Sequence, residues 1–164
     1  MSSLQKGLLV TAAHLAIVLT VAGKYAMDRN TLPRVWALVT PYDPNLPIRG
    51  RYVRLAVHAH QGFRATDERP AYSPFYLVTL STEGGKLIAT PATQDGLYAR
   101  PEGSSSVVLN DPIAFFLPEH VPDPSIQATG TELWAEVSIP KKGPPRPVRL
   151  GIKKDGVLTP LNLN

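Results

Sequence analysis

An apolar run of membrane-spanning length lies near the amino terminus. Residues 7–23 read GLLVTAAHLAIVLTVAG between Lys6 and Lys24, and His14 is the only strongly polar side chain among them. Extended a few residues past Lys24, whose side chain can reach the headgroups, the run has about 20 residues, which is the length a helix needs to cross ~30 Å of hydrocarbon. We therefore expect residues 1–27 to be a membrane anchor.

A cleaved secretory signal is the alternative interpretation of the same run. A short charged start, an apolar stretch, and the small residues Val21 and Gly23 also fit a signal peptide. Basic residues flank the run on both sides, so the charge pattern leaves the membrane orientation open. Both interpretations send the remainder through a membrane. We favour the retained anchor and therefore expect a single-pass protein of the cell membrane with an extracytoplasmic domain.

Composition narrows the class of the remaining chain. With 164 residues, the chain is long enough for one domain and an anchor. Its 17 prolines are about twice the usual share of roughly 5% and argue against long soluble helices. The absence of cysteine excludes disulfides, thiolate metal ligands and a cysteine nucleophile. We expect no cofactor.

The net charge of +4 does not indicate a nucleic-acid partner. The basic residues are scattered singly among acids, prolines and aliphatic residues, whereas nucleic-acid-binding domains gather them on one face. The lipid bilayer is the partner that the apolar run predicts directly.

Short strand-like segments fill the sequence after a predicted linker at 28–33. The clearest is 52–60, where valine, leucine and alanine at odd positions alternate with mostly polar residues at even positions. Further predicted strands are 34–40, 75–80, 86–90, 96–100, 106–110, 113–117, 132–139, 148–153 and 157–161. Glycine, proline, asparagine or aspartate separates them. We expect residues 34–164 to be mainly β, as a small antiparallel barrel or sandwich-like domain.

The residue patterns of two of these strands predict that the strands pair with each other. Residues 132–139 and 148–153 each alternate aliphatic with polar side chains, and PKKGPPRP at 140–147 connects them. An antiparallel pairing would bury one aliphatic face and place acidic residues opposite basic residues on the other face.

The segment 41–57, PYDPNLPIRGRYVRLAV, resembles the signature of the GDYXXLXY-domain proteins. In that signature a Pro-x-Asp-Pro turn leads through an Arg-Gly step into a strand that contains tyrosine. The matching positions are Pro41, Asp43, Pro44, Arg49, Gly50, Tyr52 and Leu55. The later landmarks FFLPE at 115–119 and ELWAEV at 132–137 are similar in order and spacing, whereas Arg51 and Val57 replace an aspartate and a tyrosine of the signature.

This resemblance implies a membrane-anchored bacterial envelope protein that works beside polytopic membrane proteins, and it implies no catalytic residue. The candidate binding residues that it singles out are Asp43, Arg49, Gly50, Tyr52, Leu55, Glu119 and Trp134. We favour a structural interpretation of the motif, because Asp43 before a proline can cap a turn and Gly50 can adopt a positive φ.

Histidines supply the weak candidates for a metal site. His58 and His60 share one face of a predicted strand, and His120 beside Glu119 could add ligands. Zinc requires three or four such groups, and exposed strand histidines are the commoner explanation, so we expect no metal.

The sequence therefore predicts a noncatalytic interaction or accessory protein of the envelope, with a polytopic membrane protein as a candidate partner. Two alternatives stay open. One is a membrane-associated hydrolase built around His58, His60 and Glu119, and the other is a small barrel that binds a compact ligand in its interior.

Overall fold

The computed structural model describes residues 2–42, 52–63, 74–119, 121–126 and 128–163. The chain divides after Leu32 into two compact units, an apolar helix and a β domain. The predicted fold class is confirmed, because the described part of the second unit is built from strands and contains a closed barrel.

The first unit is helix α1 (Ser3–Thr31). A capping box begins it: the Ser2 hydroxyl accepts from the Gln5 backbone N–H at 3.3 Å, and the Gln5 side chain accepts from the Ser2 N–H at 2.9 Å. The 26-residue stretch Ser3–Asp28 is long and apolar enough to cross a membrane. Its length and composition suit either an anchor or a signal sequence.

Polar side chains within α1 bond to the helix's own backbone. The Thr11 hydroxyl donates to the Gly7 carbonyl at 3.0 Å, and His14 Nδ1 donates to the Val10 carbonyl at 2.8 Å. Each bond returns one turn along the helix and satisfies the Thr11 hydroxyl donor and one of the two ring nitrogens of His14. That arrangement lowers the cost of placing a histidine and a threonine in hydrocarbon.

The predicted linker at 28–33 is mostly helical, and this corrects its boundaries. No glycine or proline interrupts residues 24–31, so the backbone ladder continues until Pro33 stops it. Leu32 takes the extended conformation usual before proline, with φ −70° and ψ 142°, while its N–H still bonds to Asp28 O at 3.0 Å. The connection outside regular structure is Leu32 and Pro33.

The β domain contains ten strands among its described residues, and each lies on a predicted segment with ends shifted by a few residues. They are β1 (Arg34–Pro41), β2 (Tyr52–Gln61), β3 (Tyr76–Glu83), β4 (Lys86–Pro91), β5 (Leu97–Glu102), β6 (Ser106–Leu109), β7 (Ile113–Phe116), β8 (Thr131–Ser138), β9 (Arg146–Lys154) and β10 (Val157–Pro160). The predicted break at 101–104 begins later than expected, because Pro101 and Glu102 belong to β5 and pair with Val107 and Ser106 of β6.

Strand β2 organises the domain because it changes partners along both edges. Five strands close a barrel in the order β2, β4, β3, β5, β6 and back to β2. On one edge, β2 pairs first with β1, as in Val39 opposite Val57, and then with β4, as in His60 opposite Ile88. On the other edge, it pairs with β7 and then β6. Beyond β1 the sheet continues through β8 and β9 to β10.

Period-two alternation gives the domain its core. The odd-numbered positions from Val53 to Ala59 of β2 are buried, while Tyr52 and Arg54 on the opposite face are exposed. The largest fully buried side chains include Leu55, Val57, Val78, Leu87, Val107 and Leu150. They come from the barrel and from β9, so one cluster supports both parts of the sheet.

The predicted pairing of β8 with β9 is confirmed. Glu132 lies opposite Lys153 and Glu136 lies opposite Arg149. Arg149 Nε donates to Glu136 Oε2 at 2.6 Å, whereas Lys153 Nζ lies 4.0 Å from Glu132 Oε2. The aliphatic face of β8 faces the core, and the pairing with β9 has a register shift between Glu136 and Val137.

Candidate functional site

A groove of about 460 Å³ lies on the outward face of the β domain. It forms where β2 changes its partner from β1 to β4, because β1 no longer pairs with β2 before Val39 and β4 pairs from Ile88 onward. Its walls include both tryptophans of the chain. The lining side chains used below are Trp36, His58, Lys86, Glu102, Trp134 and Lys153.

One wall of the groove is aromatic. Trp36 and Trp134 occupy outward positions of β1 and β8, since their neighbours in each strand are buried in the core. Trp134 Nε1 donates to Glu132 Oε2 at 3.0 Å, and Lys153 Nζ lies 4.6 Å from the Trp134 ring centroid. Arg149 Cζ lies 5.4 Å from the Trp36 ring centroid. These cation–π contacts hold both indoles in place.

His58 and Glu102 of the groove lining form a hydrogen-bonded chain with Thr40, an exposed residue of β1 that is not among the described lining residues. His58 Nδ1 lies 2.5 Å from Glu102 Oε2, and His58 Nε2 lies 3.0 Å from Thr40 Oγ1. Since an ionised carboxylate can only accept, His58 Nδ1 donates to Glu102, and in the neutral imidazole Nε2 is then the acceptor for the Thr40 hydroxyl. The His58 side chain is 11% exposed and that of Glu102 is 48% exposed, so the imidazole is shielded and the carboxylate reaches water.

The turn between β5 and β6 positions Glu102. Glu102 lies opposite Ser106, Gly103 takes a φ of +66°, and Ser106 Oγ donates to the Glu102 carbonyl at 2.5 Å. Closure of the barrel between β2 and β6 then brings this turn beside His58. The placement depends on the whole barrel and has no local sequence signal.

The motif residues that the structure describes do not converge on the groove. Leu55 is fully buried in the core, whereas Tyr52 is 54% exposed and packs edge-on against Phe116 with ring centroids 5.3 Å apart. Tyr52 and His58 lie on the same face of β2 but six residues apart, which is about 20 Å along a strand.

Two further predicted residues have different outcomes. Trp134 lines the groove, while Glu119 is exposed after β7 and is not among the described residues of the lining. Asp43, Arg49, Gly50 and His120 lie outside the described residues, so the proposed turn at Asp43 and the contribution of His120 to a metal site are not tested.

Of the histidine pair, both members line the groove from β2. Within the described part of the chain, no three histidine, aspartate or glutamate side chains are grouped closely enough to hold a metal ion. The acidic residue that reaches His58 is Glu102, and the sequence hypothesis had named Glu119.

Sequence reasoning missed Thr40, Glu102, Trp36 and Lys153 as residues of the site. A usable signal existed for Thr40 and Trp36, because alternation along β1 places both on the outward face. Lys153 was predicted only as a partner of an acid on β8.

Comparison with known proteins gives no relative from which function could be transferred. The chain matches no protein-family model, no curated protein and no solved structure.

Proposed function

We propose that the chain is a membrane-anchored accessory protein of the bacterial envelope whose β domain binds a partner or small ligand in the groove. The observation that carries the proposal is the groove itself. Its volume of about 460 Å³ lies within the ~300–1,000 Å³ usual for ligand sites. Its walls consist of side chains on paired strands, which position a binding site more rigidly than loops do.

The lining suits an occupant that has both an apolar part and polar groups. Lys86 and Lys153 oppose Glu102 and Glu132 in charge, so the four formal charges of the lining cancel. Trp36 adds apolar surface between them. A segment of a partner protein with one apolar side chain and neighbouring polar backbone has this chemistry.

The apolar helix supports the membrane-bound part of the proposal. Within its own unit, the side chains of Ser3–Asp28 are unburied, and helices that are apolar all round are typical of membrane spans. Insertion into a bilayer would remove the apolar surface of this helix from water. A polytopic membrane protein is then the partner class that shares the location.

Membership of the GDYXXLXY-domain group is part of the same proposal. The burial of Leu55 and the position of Tyr52 at the start of β2 support a fold-defining role for the motif. The anchor followed by a β domain agrees with what the resemblance implies.

Co-purification from mild detergent tests the proposal. The bait is the full chain, compared with a chain lacking residues 1–32, with the groove variant Lys86→Glu, and with Lys141→Glu as a control at an exposed lysine outside the groove. We expect the full chain and Lys141→Glu to retain the same partner and Lys86→Glu to lose it. Retention of no partner, or equal retention by both charge variants, would contradict the groove as the binding surface.

A further inference from the structure

Thr40, His58 and Glu102 have the order that an activated nucleophile requires. A hydroxyl lies next to a base, and a carboxylate orients that base from its other nitrogen. The Thr40 Oγ1 to His58 Nε2 distance of 3.0 Å and the His58 Nδ1 to Glu102 Oε2 distance of 2.5 Å allow a hydrogen bond at each step. Three strands, β1, β2 and β5, contribute one residue each.

The direction of the hydrogen bonds suits proton abstraction. A carboxylate 2.5 Å from Nδ1 favours the neutral tautomer that carries its proton on Nδ1, and in that tautomer the Nε2 lone pair faces the Thr40 hydroxyl. When Nε2 takes the hydroxyl proton, the carboxylate stabilises the resulting imidazolium at 2.5 Å. This is the role of the acidic member in hydrolytic triads on other folds.

The solvent exposure of Thr40 and His58 differs in the way that a nucleophile and its base require. Thr40 is exposed and can meet a substrate, while His58 is mostly shielded from water. Leu38 lines the groove and precedes Thr40 by two residues on the same face of β1, about 7 Å away. An acyl group bound against Leu38 and Trp36 would therefore have its carbonyl carbon near Thr40 Oγ1.

We propose that this trio is an acyl-transfer site for carboxylic esters with a compact apolar acyl group. Thr40 Oγ1 attacks the carbonyl carbon while its proton passes to His58 Nε2. The ester C–O bond then breaks, and the departing alcohol takes that proton, which leaves the acyl group on Thr40. Water attacks the same carbon, gives a proton to His58, and releases the carboxylic acid as Thr40 recovers its proton. Esters are favoured over amides because an alkoxide departs more readily than an amide nitrogen.

This activity goes beyond the binding role proposed above and is tested separately from it. A small ester needs no protein partner, so a failure to react would leave the co-purification result unchanged. Conversely, a chain that retains no partner could still be acylated at Thr40.

The test uses the full chain in detergent micelles with 4-nitrophenyl butyrate. Release of nitrophenolate is followed by absorbance, and the acylated residue is mapped by mass spectrometry after acid quench. We expect butyrylation at Thr40. Thr40→Val, which keeps the shape but lacks the hydroxyl, should abolish it, and Thr40→Ser should retain it. Glu102→Gln should slow the reaction by up to about 10⁴-fold, as loss of the orienting carboxylate does in hydrolytic triads.

Two matched controls separate the site from general effects. Thr159→Val changes an exposed strand threonine on β10, and Lys141→Glu changes an exposed lysine outside the groove lining; both should react at the rate of the unmodified chain. Tryptophan emission identical to that of the unmodified chain checks that Thr40→Val is folded. Equal nitrophenolate release by folded Thr40→Val, no butyrylation of the unmodified chain, or butyrylation confined to lysines would overturn the proposal.

Discussion

Trp36 on β1 reaches across β8 and lies against the backbone of Gly151 on β9. A β-carbon built on Gly151 would lie 3.0 Å from Cζ3 of the Trp36 ring and 3.1 Å from the Thr159 carbonyl oxygen. The glycine thus leaves room for the indole that forms one wall of the groove. This contact connects the packing of three neighbouring strands to the shape of the site.

Gly151→Ala should destabilise the β domain by about 1–3 kcal/mol, because the added methyl group overpacks a filled position. Urea unfolding of residues 33–164, which contain the whole core cluster, measures the effect. Combining it with Trp36→Leu should recover part of the loss, since the two residues are in contact. A neutral or stabilising effect of Gly151→Ala would contradict the described packing.

Two motif residues should differ in their contribution to stability. Leu55→Ala should cost about 2–5 kcal/mol because it leaves a cavity at a fully buried position. Tyr52→Ala should cost about 0.5–1.5 kcal/mol, since the ring is half exposed and its main aromatic contact is Phe116. Urea midpoints of both variants provide the comparison. A larger cost for Tyr52→Ala would show that the tyrosine has a structural role that its exposure does not explain.

Substitutions at the two residues of the turn between β9 and β10 should differ in their effect on stability. Asp155 and Gly156 have φ angles of +50° and +83°, as in the tight turns that match strand twist. Gly156→Val should destabilise by about 1–2 kcal/mol because a branched side chain resists that conformation. Asp155→Asn should stay within about 0.5 kcal/mol, since asparagine tolerates it. Thermal unfolding checks both, and equal effects would count against this turn geometry.

The cation of Lys153 should influence both the stability of the β domain and the fluorescence of Trp134. Lys153→Met removes the cation above the indole and should cost about 0.5–1 kcal/mol, with a shift in Trp134 emission. The ion pair with Glu132 adds little, because the Nζ to Oε2 distance is 4.0 Å and both groups reach water. Fluorescence in a Trp36→Phe background isolates Trp134. Lys154→Met, at the exposed neighbouring position, is the control and should leave the spectrum unchanged.

Local patterning was sufficient to predict the secondary structure of the β domain. Alternation along 52–60 identified β2 and its buried face, and matching acids and bases identified the β8–β9 pairing. Each of these signals lies within one strand or one hairpin. There the two-residue period of the backbone determines which side chains face the core and which face outward. The end of α1 was mistaken because polar residues after Lys24 indicated a linker although no residue before Pro33 stops a helix.

The candidate site was largely beyond sequence reasoning because it depends on long-range pairing. His58 and Glu102 are 44 residues apart and meet only when β6 closes the barrel against β2. The groove likewise results from a change of partners along β2, which no single strand encodes. Proximity in sequence had instead suggested Glu119 beside His120, and Glu119 lies after β7, away from the lining.

Alkaline carbonate extraction of membranes from cells that express the full chain tests the central claim, that an apolar helix anchors this β domain to a bilayer. The full chain should remain in the membrane pellet at its full mass, because a 26-residue helix that is long and apolar enough to span the bilayer is not released by high pH. A chain of residues 33–164, made without the helix, should be recovered in the soluble fraction as the matched control. Release of the intact full chain into the supernatant, or recovery of a shortened chain cleaved after the apolar run, would contradict a retained anchor.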